Sequence, residues 1–445
     1  MKRRTFLLSG GVLPAATLFE ASRGNRTPDP APHGREPLAG EERLRLAGLT
    51  LPELGARYRR ELFEVVLPFW QAHGIDREHG GFICALEHDG TRLNTDKLLV
   101  FQGRGLSVWS RLHQQFGGSE HLAVARDTCR FCLEHMRRTD GTWRSRVAQD
   151  GRAVEAPGAD LSALLCLAEG LHAYGEASRD EEPATLARGV LLDAVARGTA
   201  PGVPSRQGFW FFTLLACTGM LARQKDDEIE RLARRAADAL VTRHHNPDTG
   251  LHDEALTPDL ARSPQEAGFT IFGHAVEGLW MLMDHAVRIG DEALFDRLAA
   301  RLKHHLDVGW DRVYGGLAHA VRVDRGGYVW PVERPLGTVA EFGAVGEYHY
   351  MKSFWSLAEV LVATLKVLER RRAPWAADYF GLAQRVLDER LSLAPLGHPL
   401  YTLFTDRRLT RGTRTGRAEN YHHPRMLMLN LRALDRMIAR EGAPA

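Results

Sequence analysis

Asp76-Arg77-Glu78-His79-Gly80-Gly81-Phe82 decides how the chain is read, because it comes back. Variants of it appear as Asp140-Gly141-Thr142-Trp143, as Asn246-Pro247-Asp248-Thr249-Gly250-Leu251 and as Asp311-Arg312-Val313-Tyr314-Gly315-Gly316-Leu317. Each joins an Asx turn former to a glycine that supplies a left-handed backbone angle, then returns to the core on an apolar residue. Gly80 and Gly141 are 61 residues apart, and Gly250 and Gly315 are 65 apart, which is room for two helices and their loops. Between the turns, apolar residues recur at spacings of three and four over 51–70, 98–116, 122–136, 161–174, 209–221, 229–241, 272–287, 294–306, 354–368 and 379–391. Alternating strand patterns are scarce. The pattern predicts an all-α chain of helical hairpins. Six hairpins closed into a ring of inner and outer helices make an (α/α)6 barrel, and seven hairpins or an open solenoid satisfy the same spacing. In a closed toroid the loops and inner-helix ends converge on one concave face, where a small ligand sits.

Composition narrows the partners. The chain has 445 residues, 26% of them charged, and a formal net charge of only +2 with both signs interspersed. That balance points to neither nucleic acid nor an anionic membrane as partner. Five cysteines, Cys84, Cys129, Cys132, Cys166 and Cys217, show no pairing plan. Cys129-Arg130-Phe131-Cys132 has metal or redox spacing but no second pair, and small core residues fit it as well. Met1-Lys2-Arg3-Arg4-Thr5-Phe6-Leu7-Leu8 is similar to a twin-arginine export signal, so residues 1–21 are set aside as an address. Its apolar run is too short for a comfortable membrane span. Residues 22–40, rich in Pro, Gly and charge, read as a linker, leaving 41–445 as one domain. The expected location is the periplasm or another exported compartment, and the expected state is monomer or homodimer.

No Walker loop, dinucleotide fingerprint, H-E-x-x-H or G-x-S-x-G occurs. Histidine is left to carry chemistry. In Phe272-Gly273-His274-Ala275-Val276-Glu277-Gly278-Leu279-Trp280 an apolar helical stripe faces a core, and Glu277 stands one turn from His274. The pair reads either as a tuned general base or as a buried histidine satisfied by a neighbouring acid. Tyr421-His422-His423-Pro424-Arg425 opens a helix, since Pro424 suits a first turn, and so places His422 at its start with Arg425 just inside. A polar helix start at the surface has the same letters. In Lys97-Leu98-Leu99-Val100-Phe101-Gln102-Gly103-Arg104, Arg104 shares a face with apolar residues. It suits either an oxyanion or a structural ion pair. Trp355 and its aromatic neighbours offer a stacking surface for a sugar, or a packed helix face.

Taken in order, Asp-x-x-x-Gly-Gly-Phe (76–82), Lys-x-x-x-x-Gln-Gly-Arg (97–104), Gly-His-Ala-x-Glu (273–277), Trp-x-x-x-Glu (355–359) and Tyr-His-x-x-Arg (421–425) resemble the N-acylglucosamine 2-epimerase superfamily, with its cellobiose 2-epimerase and mannose isomerase-like branches. The likeness spans nearly all of the chain after the linker. It implies an (α/α)6 barrel with no metal and no cofactor, acting on a free sugar. Two histidines would move a proton at the carbon beside the carbonyl. By position those are His274 and His422, with Arg104 near the carbonyl or ring oxygen and Glu277 supporting His274. Trp355, Glu359, Tyr421, Arg425, Trp109 and Lys97 are the candidate substrate-binding set. Enediolate chemistry needs such a base near working pH and a donor for the oxyanion.

Two departures stand out. Where the cellobiose and mannose branch carries a further histidine, this chain reads Gly208-Phe209-Trp210-Phe211-Phe212-Thr213-Leu214-Leu215. After Arg425 it continues Met426-Leu427-Met428-Leu429, without the acidic residue that often follows in the family. The arginine-rich stretch 407–417 reads as a solvated loop or as a lure for an anionic sugar. Competing functions are a glycoside hydrolase or lyase on the same toroid, with Glu341 and Glu347 as carboxylates, and a non-catalytic glycan-binding protein.

Overall fold

The computed structural model describes residues 44–156, 158–263, 268–324, 327–328, 350–411 and 419–441. The signal and linker assigned to 1–21 and 22–40, the candidate carboxylates Glu341 and Glu347, and part of the arginine-rich stretch lie outside the described residues.

Twelve helices make up the described chain. The outer helices are α1 (51–74), α3 (119–136), α5 (Glu181–Gly198), α7 (227–244), α9 (Glu292–Gly309) and α11 (374–391). The inner helices are α2 (Leu99–Phe116), α4 (Leu161–Ser178), α6 (Gln207–Leu221), α8 (Phe272–Ile289), α10 (Phe354–Arg371) and α12 (His422–Glu441). Each inner helix packs on the outer helix that follows it, and the inner helices pack in sequence from α2 to α12. The ring closes where α12 meets α2, and where α1 from the start of the chain supplies the outer partner of α12. This is the (α/α)6 barrel, and the choice among six hairpins, seven or a solenoid is settled by that closure. Among the described residues no helix is long and apolar enough to cross a membrane.

Burial separates the two rings as their sequences require. Outer helix α7 opens on an Asp226 cap and buries only Ile229, Leu232, Ala233, Ala236 and Ala237 along its α-helical part, a one-sided stripe. Inner helix α6, with its run of Phe, Trp and Leu, is buried on nearly every side. Two helices go beyond the ten periodic runs. Glu181–Gly198 carries Pro183 and Gly189 in a charged context that blurs its stripe, yet Asp180 caps it. His422–Glu441 alternates Met and Leu with Arg and was legible only at its start.

The recurring turn is one structure used repeatedly. Outer helices α1, α3, α7 and α11 widen into π-helical turns at their ends, and the chain then doubles back through a short bridge, such as Ile75 with Phe82 or His245 with His252; after α9 the bridge is Trp310 with Leu317. Asp76 N–H donates to Gly81 O at 3.0 Å and Gly80 N–H to Asp76 O at 2.9 Å, while Asp311 with Gly316 and Gly315 repeats both bonds at 2.9 Å. Asp76 and Asp311 side chains accept the backbone N–H groups two and three residues on. Gly80 and Gly315 both sit at φ +84°, where a side chain would be strained.

A short strand leads into each of four inner helices. Lys97–Leu98 pairs with Arg146–Val147, Ser205–Arg206 with Ala255–Leu256, Phe269–Ile271 with Ala320–Asp324, and Lys352–Ser353 with Phe404–Thr405. These small ladders line the face where the inner helices begin, and they hold the starts of those helices around the barrel axis.

Two proposed contact residues turn out to serve this scaffold. Lys97, expected to bind substrate, is fully buried; its Nζ lies 2.7 Å from Asp76 Oδ2 and donates to Gly80 O at 2.6 Å and Gln149 O at 2.9 Å. Lys352 holds Asp311 in the same way at 2.9 Å. Each lysine is the counter-ion of a turn aspartate. Trp109, also expected at the substrate, is 1% exposed and packs 4.8 Å from the Phe82 ring in the core. All five cysteines are buried, and burial pushes the Cys129 thiol up to about 12.

Candidate active site

All six inner helices send side chains to one cluster. Arg104 comes from α2, Glu169 from α4, Phe211 and Phe212 from α6, His274 and Glu277 from α8, Trp355 and Glu359 from α10, and His422 and Arg425 from α12. Most of their neighbours are fully buried. His274, Trp355 and Arg104 instead keep partial exposure, 32% for the His274 side chain and 16% for that of Arg104, which marks the open end of the cluster.

The indole of Trp355 joins the two histidines. Its centroid lies 5.4 Å from His274 and 5.5 Å from His422, each ring tilted 39° from it. Gly273 makes this approach feasible, because a Cβ there would stand 2.3 Å from the Trp355 ring.

Each histidine is gripped by a carboxylate on Nδ1. His422 Nδ1 lies 2.7 Å from Glu359 Oε1. Since a carboxylate only accepts, the Nδ1 carries the proton and Nε2 is the free nitrogen. Glu359 is itself engaged by Arg425 Nη2 at 2.7 Å and by Trp280 Nε1 at 2.7 Å, so its charge is largely spent before it reaches the imidazole. Burial, with Arg425 and Arg104 nearby, lowers His422 to about 3, against the pull of Glu419 and Glu277. His422 is a neutral base at physiological pH.

His274 is the opposite case. The sequence reading pairs it with Glu277, one turn along its own helix. In the structure its Nδ1 faces Glu254, 3.0 and 3.1 Å from the two carboxylate oxygens. Glu277 instead accepts from Arg425 Nη2 at 2.5 Å and acts on His274 only through its field. Burial presses the His274 pKa down, and the Glu254 carboxylate, helped by Glu277, more than offsets it, leaving the group raised above its ordinary value. The two imidazoles are therefore split into an acid and a base.

Arg425 is the centre of the buried network. Besides Glu277 and Glu359 it donates to Tyr421 Oη at 2.9 Å, and Tyr421 donates in turn to Glu169 at 2.8 Å. Tyr421, Glu359 and Arg425 are all buried, so they orient other groups rather than line the opening. Arg104 stacks 5.0 Å from the Tyr421 ring and 5.9 Å from that of Phe212, and pairs with Glu419 at 3.5 Å. Glu419 also accepts the His422 N–H at 2.6 Å, which caps α12. Among the described residues Glu277, Glu359 and His422 form the one group whose donor atoms lie close enough to hold a metal ion, but the guanidinium of Arg425 already bridges both carboxylates.

Glu254, Glu419 and Glu169 were not among the sequence candidates. Glu254 follows the turn phrase at 246–251 and directly precedes the strand Ala255–Leu256 that pairs with the lead-in to α6, and that long-range pairing brings it to His274. Glu419 stands three residues before His422, a spacing from which an acidic cap could have been read.

No protein-family model matches the chain. It is 23% identical over 382 residues to bovine N-acylglucosamine 2-epimerase, covering 78% of this chain and 87% of the relative, and 24% identical over 388 residues to the human enzyme, covering 80% and 88%. Among solved structures, cellobiose 2-epimerase from Spirochaeta thermophila superposes with a TM-score of 0.69 at 17% identity over 87% of this chain and 98% of that one. D-mannose isomerase gives a TM-score of 0.71 at 13% identity over 85% and 97%. With the five motifs in order on this barrel, the chain is similar in sequence to the N-acylglucosamine 2-epimerases and shares the fold of the sugar epimerases and isomerases.

Proposed function

We propose that the protein is a carbohydrate epimerase or isomerase that moves a proton at the carbon beside the carbonyl of a free, open-chain sugar. The observation that carries this reading is the pair of imidazoles that both pack against the Trp355 indole, each held by a carboxylate, one raised and one lowered in pKa. One imidazole takes the C2 proton, the electron pair moves into the carbonyl to give an enediolate, and the other imidazole returns a proton to the opposite face of C2. That inverts C2. Return of the proton to C1 instead converts aldose to ketose. Arg104, charged and partly exposed beside Phe212 and Tyr421, stabilises the developing oxyanion, and Trp355 supports the sugar by stacking. Arg425, Glu359 and Glu254 hold the imidazoles in place. The twin-arginine segment at 1–21 supports export as its cellular setting.

Incubation of the protein with free aldoses, ketoses and N-acetylated hexosamines in deuterated water tests the reading. Deuterium at C2 or C1 of at least one sugar is expected by NMR. Release of reducing ends from an oligosaccharide, with no deuterium at either carbon of any free sugar, would replace it with hydrolysis.

A further inference from the structure

Behind His274 a chain of hydrogen bonds runs outward through the barrel wall. Glu254 Oε2 accepts from Gln207 Nε2 at 3.3 Å, so the amide of Gln207 turns its oxygen toward His252 Nδ1, 3.0 Å away. His252 must then carry its proton on Nδ1. Its backbone N–H donates to His305 Nε2 at 3.0 Å, and His305 Nδ1 donates to Arg301 O at 2.8 Å. Members that only donate or only accept thus fix every proton in the series. Gln207, His252 and His305 are fully buried. The backbone is equally constrained: Gln207 N–H donates to Glu254 O at 2.9 Å, Glu254 N–H to Phe269 O at 2.7 Å, and Thr270 Oγ1 to His252 O at 2.7 Å.

We propose that Glu254 and Gln207 are the positioning residues of His274: Gln207 fixes the Glu254 carboxylate, and the carboxylate holds the imidazole with its proton on Nδ1 and Nε2 turned away toward the reacting sugar. The proposal rests on His274 being a proton-transfer group. A leucine at 207 would strand His252 Nδ1 without its partner and leave Glu254 Oε2 with His274 alone, and a glutamate there would set a second carboxylate against the first. The charged groups acting on His274 are Glu254 from the segment just before the strand Ala255–Leu256, Glu277 from its own helix and Arg104 from α2. Of these Glu254 is the one in hydrogen-bond contact.

Protein labelled with 15N-histidine reports the imidazole tautomers and titrations directly, with the His274 signals assigned by their loss in His274→Gln. In the wild type the neutral His274 is expected as the Nδ1–H tautomer with a midpoint above about 6.5. In Glu254→Gln the midpoint should fall by about one pH unit or more, while Glu254→Asp, which keeps the charge, should hold it above the glutamine variant. Gln207→Leu should mix the His252 tautomers and lower kcat at least about tenfold with KM little changed. An unmoved His274 midpoint in Glu254→Gln, or a wild-type Nε2–H tautomer, would overturn the proposal. The titration needs no substrate, so a protein that exchanges no sugar proton yet shows these shifts keeps the pairing and loses only the functional reading.

Discussion

Arg425 is the residue on which the buried charges balance. Its guanidinium lies between Glu277 and Glu359 and props Tyr421 against Glu169. Replacing it with methionine fills the space but leaves two carboxylates facing each other in the core. The loss should be about 3–5 kcal/mol, read as a lower urea midpoint, and a change within about 0.5 kcal/mol would contradict the network. At this scale the sequence was legible where partners share one helix. Trp355 with Glu359 and His422 with Arg425 sit three or four positions apart on one face, and the structure puts each pair in one cluster. It was illegible where the partner arrives by strand pairing, so Glu277 was read in the place that Glu254 takes. Lys97 and Trp109 misled for another reason: a charge or an indole in a motif says nothing of whether it faces the cavity or the turn behind it.

At the scale of elements, the turn phrase was the most legible feature, because its glycines and Asx residues are dictated locally. Its lysines were not, since Lys97 and Lys352 reach Asp76 and Asp311 from strands 21 and 41 residues on. The arrangement has a mechanical consequence. Lys97→Met removes the counter-ion of a buried aspartate at the start of α2, and should cost about 3 kcal/mol. Because the α2 lead-in strand and Arg104 follow directly, activity should fall along with stability. Thermal unfolding of the variant measures the first effect. An unchanged Tm would mean that the turn stands without its lysine. The inner helices themselves were predictable as helices, but their order around the axis came only from packing.

Over the whole molecule, the histidines set the response to acid. Among the described residues eight have their pKa lowered by burial, among them His245 to about 4 and His305 and His422 to about 3. His274 is raised. A histidine lowered in the folded state binds its proton more readily once unfolded. Its contribution is therefore complete above about pH 6.5 and is lost as pH falls toward the folded value. His274 works in the other direction, losing its contribution as pH rises through its raised pKa. Eight against one, the urea midpoint should climb between about pH 5 and 7, and a flat or falling profile would contradict the buried, neutral state of these rings. Composition could count twenty histidines, yet which of them are buried depends on the closed ring and not on any local pattern.

The closed ring also brings His274 and His422, 148 residues apart in sequence, against one indole. Solvent-deuterium exchange at C2 of a turned-over sugar, followed by NMR in His274→Gln and His422→Gln beside the wild type, tests that pairing most directly. Wild-type exchange with a loss of about 10²-fold or more in each variant is the result expected. Full exchange in both variants would contradict the two-histidine proton transfer.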